Sequence, residues 1–127
     1  AVSEDFIERY GIRYDLQYQL KINSHVHQNG FRGFNLRGTK NPLCKEIKLE
    51  FFVEKNTTPP PYNIKWKVKN RGEQAQRLNA LRGEITDDNG TMSKVEHTRY
   101  RGVHYVECYV IKGKTCVARD SLDVPIQ

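Results

Sequence analysis

The chain has 127 residues with 37% hydrophobic, 10% aromatic and 28% charged side chains, enough for one core and too little for two. Its apolar runs, such as Phe51-Phe52-Val53 and Tyr109-Val110-Ile111, are far too short for a membrane-spanning helix or a secretory signal. The net charge is +6, from 21 basic against 15 acidic residues, so anionic partners come to mind before acidic-surface repulsion does. Ser3-Glu4-Asp5 ahead of Phe6, Ile7 and Tyr10 predicts a short capped helix that ends at Gly11. Ile12, Tyr14, Leu16, Tyr18, Leu20 and Ile22 then alternate with polar residues, which predicts one long half-buried strand.

Further strands follow at short intervals. Ile47, Leu49, Phe51 and Val53 alternate with polar neighbours, and Ile64, Trp66 and Val68 alternate with Lys65, Lys67 and Lys69. The lysine-lined face of the latter reads as a solvated one. Thr57-Thr58-Pro59-Pro60-Pro61 is a stiff connection within one domain. Leu81, Gly83 and Ile85 suggest a short strand, Asp87-Asp88-Asn89-Gly90 a turn, and residues 95–100 another strand. Val103–Ile111 is apolar at most positions, as in a central strand covered on both faces, and Lys112-Gly113-Lys114 turns into a last strand over 115–126. The pattern predicts an all-β, immunoglobulin-like two-sheet antiparallel β-sandwich of seven or eight strands with a short N-terminal helix. Residues 1–11 read as a helix or linker from an upstream module, and 12–127 as the sandwich. The first residue is Ala, which fits a fragment of a longer protein or a processed product.

Hydrolytic and nucleotide-cleaving motifs are missing: there is no Gly-x-Ser-x-Gly, no phosphate-binding loop and no His-Glu-x-x-His. His25 and His27 would share a strand face but lack a third ligand, so neither a metal nor a cofactor is expected. Cys44, Cys108 and Cys116 form an odd set without a Cys-x-x-Cys pair, which points to a reducing, cytoplasmic compartment or the cytoplasmic face of a membrane-anchored protein. His104 and Cys108 on one strand stand about 13 Å apart, too far for a base and its nucleophile. No catalytic set emerges, and Cys108 reads as a small core residue.

Binding features are better represented. No acidic residue lies between Asp15 and Glu46 or between Glu54 and Glu73, and both spans carry several Lys and Arg. Asn29-Gly-Phe-Arg-Gly-Phe-Asn-Leu-Arg-Gly38 interleaves glycine, aromatic and arginine, as does Arg99-Tyr-Arg-Gly-Val-His-Tyr105. Such loops bring backbone amides and guanidinium groups to phosphates while a ring stacks on a base; alternatively the phenylalanines and tyrosines plug the core. Two phosphate contacts and two stacked bases supply about 5–12 kcal/mol gross, and micromolar affinity needs about 8. A small dinucleotide is therefore within reach of a few such residues.

Four blocks in order resemble a known family. They are Trp66-Lys-Val-Lys-Asn-Arg-Gly-Glu73, Leu81-Arg-Gly-Glu-Ile85, His104-Tyr-Val-Glu-Cys-Tyr-Val110, and Cys116-Val-Ala-Arg-Asp120 with Asp123-Val-Pro-Ile126. Together they resemble the adenylyl/guanylyl and SMODS C-terminal sensor domain, over about Ile12 to Ile126. The Lys112-Gly113-Lys114 turn departs from the Asn-Gly expected there. The resemblance implies a bacterial antiphage sensor that binds a cyclic di- or oligonucleotide and regulates a covalently attached effector or nucleotidyltransferase. The fragment itself would not be an enzyme. Phe31, Arg32, Arg82, Arg99, Arg101, His104 and Tyr105 are the candidate ligand-binding residues. Two other readings stand beside it: a β-sandwich that docks a protein or forms a homodimer without binding nucleotide, and a general single-stranded nucleic-acid binder, although long nucleic acid is not the expected partner.

Overall fold

The computed structural model of the chain describes residues 5–27, 34–35, 48–70, 83–97 and 102–126. Among these residues it is all-β apart from a single 3-10 turn at Ile7–Tyr10. The strands are β1 (Arg13–Tyr14), β2 (Leu20–His27), β3 (Phe34–Asn35), β4 (Lys48–Asn56), β5 (Asn63–Asn70), β6 (Ile85–Asp87), β7 (Ser93–His97), β8 (Gly102–Lys112) and β9 (Thr115–Ile126). They form two sheets, ordered β1-β9-β8-β5-β6 and β3-β2-β4-β7. The chain crosses between sheets after β1, β4, β6 and β7, whereas β2 to β4, β5 to β6 and β8 to β9 stay in one sheet. With β1 lying parallel on the outer edge of β9, this is the immunoglobulin-like sandwich that the alternation predicts. Seven of the strands are longer than two residues.

The core follows period two. Ile64, Trp66 and Val68 of β5 meet Val106, Cys108 and Val110 of β8, and across the gap lie Ile22 and Val26 of β2 with Leu49 and Phe51 of β4. As a central strand, β8 is paired along both edges. The sheets are also joined by a carboxylate: Asp120 Oδ2 accepts the Ile22 N–H at 2.9 Å. Arg119 and Asp120 therefore do not serve each other alone, since Arg119 stacks 5.4 Å from the Tyr14 ring centroid.

Two expectations change. The single long strand over residues 12–23 is broken between β1 and β2. The Asp15, Gln17 and Tyr18 amides follow the edge of β9 to the Cys116 and Val117 carbonyls, and the chain then crosses to the other sheet. One continuous strand cannot serve two sheets, so Tyr14 and Leu16 end up exposed although they fit the apolar phase. The helix expected over 3–10 shortens to the 3-10 turn. It stops, as expected, at Gly11, whose φ of 74° suits a residue without Cβ. Its N-cap, Phe6, makes no side-chain cap bond, while Asp5 accepts the Tyr10 hydroxyl at 2.6 Å.

Residues 5–12 lie on the outer face of the five-stranded sheet. Ile7 and Ile12 form a second cluster there with Tyr109, Ile111 and Cys116. Cys108 and Cys116 are buried free thiols, and burial pushes both above the ordinary thiol range. Cys108 thus packs as a core residue; Cys44 lies outside the described residues. No described helix is long and apolar enough to cross a membrane.

Candidate functional site

The strand registers sort the connections into two ends. His27 pairs with Lys48 and Lys48 with His97 in one sheet. In the other, Asn70 pairs with His104, and Gly102 pairs with Ile126. Only residues 98–101 separate His97 from Gly102, so the short reach of four residues puts both rows at the same end. Stretches 28–33, 36–47, 71–82 and 98–101 all leave from and return to strand ends at or near these rows. The opposite end carries 57–62, 88–92 and the Gly113–Lys114 turn, and Lys112 Nζ donating to the Pro59 carbonyl at 2.6 Å ties two of these together.

Charge divides along the same line. The four stretches at the first end contain nine of the 21 Lys and Arg and two of the 15 Asp and Glu. That leaves twelve basic against thirteen acidic residues elsewhere, so the surplus positive charge of the chain lies in the sequence of these four connecting stretches, whose flanking strand ends mark the basic end. A groove of about 510 Å³ at the other end is lined by Asp87 and Asp88 as well as Tyr62, Asn63 and Lys65. Lys65 is already paired with Asp87 at 2.5 Å. Asp88 is likewise occupied, accepting Trp66 Nε1–H at 2.9 Å and the Gly90 and Met92 amides at 2.8 and 3.0 Å.

Of the candidate ligand-binding residues, Phe31, Arg32, Arg82, Arg99 and Arg101 lie outside the described residues. They belong to the connecting stretches 28–33, 71–82 and 98–101. The backbone of His104 sits at the basic end, between Asn70 and Val124. Tyr105 is next to it and buried, 7% exposed. Its ring centroid stands 6.0 Å from Lys67 Nζ.

Lys67 is the residue that sequence reasoning missed. The alternation that puts Lys65, Lys67 and Lys69 opposite Trp66 implies a solvated face, yet Lys67 is 1% exposed. Its Nζ donates to the Asp5 carbonyl at 3.1 Å, stands 4.4 Å from the Phe6 ring centroid and 3.6 Å from Glu107 Oε1. A carboxylate, a carbonyl and a π-face together compensate a desolvated ammonium. The readable signal was Asp5-Phe6 upstream and Glu107 in register with Lys67, but only tertiary contact reveals that they converge.

Of the two histidines on β2, His25 is exposed and its ring lies 5.9 Å from Phe52 at an interplanar angle of 39°. The His27 side chain lies outside the described set. Among the described residues no group of three or more His, Cys, Asp or Glu is placed to hold a metal ion.

The family model of the adenylyl/guanylyl and SMODS C-terminal sensor domain matches residues 1–127. The chain belongs to this sensor-domain family. A cytidylate cyclase of Staphylococcus aureus is 38% identical over 69 residues, covering 54% of this chain and 16% of that relative. The matched stretch is thus about a sixth of the relative's length. The chain is accordingly a sensor domain of the kind associated with nucleotide cyclases.

Proposed function

We propose that the basic end of this sensor domain binds a cyclic nucleotide signal, in the first instance a cyclic di- or oligonucleotide. Binding there regulates a covalently attached effector or nucleotidyltransferase in bacterial antiphage defence, on the cytoplasmic side. The observation that carries the reading is the confinement of the whole surplus of positive charge to the stretches joining strands at one end. A phosphate-bearing ligand is drawn to such a surplus, whereas the charges lining the groove opposite are already partnered. Arg32, Arg82, Arg99 and Arg101 take the phosphates, while Phe31 and His104 supply rings near the bases; Tyr105, expected among them, is too buried at 7% exposure to stack on a base. Residues 1–11 lead from the upstream module, and the sandwich from residue 12 onward is the sensing unit.

Calorimetric titration tests this with cyclic di- and trinucleotides at moderate salt. The name of the Staphylococcus aureus relative adds a cyclic cytidine mononucleotide to the panel. A stoichiometric complex of micromolar or tighter affinity is expected. Silence across the panel would sink the nucleotide reading.

A second reading has its own support. Phe6, Tyr10, Tyr14 and Leu16 are 41–57% exposed along the N-terminal segment, a concentration of apolar surface that suits a protein partner or a second copy. Sedimentation equilibrium separates it from the first: concentration-dependent association without nucleotide favours this reading.

A further inference from the structure

Lys67 lies on the face of β5 that points away from the sandwich core, and the segment that buries it is the N-terminal one. From that segment come the Asp5 carbonyl at 3.1 Å and the Phe6 ring at 4.4 Å. From the sheet come Glu107 Oε1 at 3.6 Å and the Tyr105 ring at 6.0 Å. One ammonium thus joins residues 62 positions apart in sequence. An apolar side chain of similar volume often fills such a space at no loss of stability, because it has no charge to desolvate. The charge is therefore better explained by what it holds in place.

What it holds is lightly packed otherwise. Phe6 and Tyr10 remain 48% and 50% exposed, and between Asp5 and Gly11 the one buried apolar side chain is Ile7. The remaining ties to the sheet are polar: the Asp5 N–H donates to the Gly83 carbonyl at 2.8 Å, Asp5 Oδ2 accepts from the Ile85 N–H at 3.4 Å, and the Tyr10 carbonyl accepts from exposed Lys114 Nζ at 3.3 Å. Lys67 is also three residues from the end of β5 at Asn70, with Tyr105 beside it at the basic end. The ammonium sits between the two.

We infer that Lys67 is a latch: it fastens residues 5–11 to the outer face of the sheet, and these residues can come off while the sandwich stays folded. The latch deepens the sensor reading, because it gives the basic end a path to the polypeptide preceding the domain. It rests on that reading for its trigger but not for its existence.

The test is native-state hydrogen exchange on the full chain, with no nucleotide present, comparing wild type with Lys67→Met. Loss of one charged hydrogen bond speeds exchange of the Asp5 and Ile85 amides by at least about tenfold. The Val106 and Val110 amides of β8 stay within about twofold of wild type. Phe6→Ala, which changes a half-exposed ring and leaves the sheet intact, releases the same two amides and covers the case of a Lys67→Met chain that does not fold. The inference is overturned if the Asp5 and Ile85 amides do not change, or if both sets accelerate together, which would make Lys67 a contributor to global stability only. A silent nucleotide titration would remove the trigger and leave this result standing.

Discussion

The two ends of the sandwich are built from different chemistry. At the end opposite the basic one every connection is short and stitched to a strand. Asp88 alone accepts an indole N–H and two backbone amides, and Thr57 N–H and Oγ1 are both used against Gln19. Its Met92, held at φ 55° beside Asp88, shows a turn in which side-chain hydrogen bonds hold a left-handed backbone. The stretches that join strand ends at the basic end are rich in Arg and carry nine basic residues to two acidic ones. The contrast teaches a division of labour: one end closes the fold, and the other offers charge that the fold does not consume.

The largest expected effect breaks the closing end. Trp66 is 1% exposed at the centre of β5 and its Nε1–H is fixed by Asp88. Trp66→Ala removes both the packing and the hydrogen-bond donor, and urea unfolding is expected to show a loss of about 3–5 kcal/mol. A loss below about 1 kcal/mol would mean that Trp66 is not the keystone of this core.

Much of this end was legible from residue types. The period-two runs of β4, β5 and β9 and the nearly continuous apolar run of β8 locate the core, and Asp87-Asp88-Asn89-Gly90 announces its turn. Period alone misled at Tyr14 and Leu16, because alternation says which face a strand buries but not which sheet it has joined. It misled again at Lys67, because a strand face counts as solvated only until some other part of the chain covers it. The family blocks were legible too, since they fall largely on β5, β8 and β9, whose register sets Trp66, Cys108 and Asp120 in one row. Of the candidate site, the sequence offers basic-aromatic clusters far apart in the chain; their common end emerges only once the crossings between sheets are known.

The intermediate effect sharpens the other half of the comparison. Arg82→Ala and Arg99→Ala each delete one charged hydrogen bond to phosphate under the sensor reading, about 1.5–3 kcal/mol, or a 10- to 150-fold weaker nucleotide complex by calorimetry. Both are expected to leave unfolding free energy within about 0.5 kcal/mol of wild type. A change that cost stability but not affinity would place these arginines in the fold and erase the division between the ends.

The smallest effect lies on the segment between the two. The Tyr10 hydroxyl is the main reason that the Asp5 carboxyl titrates below its ordinary range; the Ile85 N–H, Arg9 and the Phe6 N–H act in the same direction, and burial opposes them. The same hydrogen bond raises Tyr10 above its ordinary value. A depressed carboxylate contributes stability that is complete above its unfolded value, about 3.9, and is lost as pH falls through the folded value. A raised phenol contributes below about 10 and loses its contribution as pH climbs through the folded value. Residues 5–11 should therefore be held most firmly between about pH 4 and 10 and loosen on either side. Carboxyl-carbon NMR titration of Asp5 checks the acid limb, and Tyr10→Phe should move its midpoint up toward that of a free aspartate. An Asp5 that titrates at the ordinary value in the wild-type chain would show that this bond does not fasten the segment, leaving Lys67 to hold it.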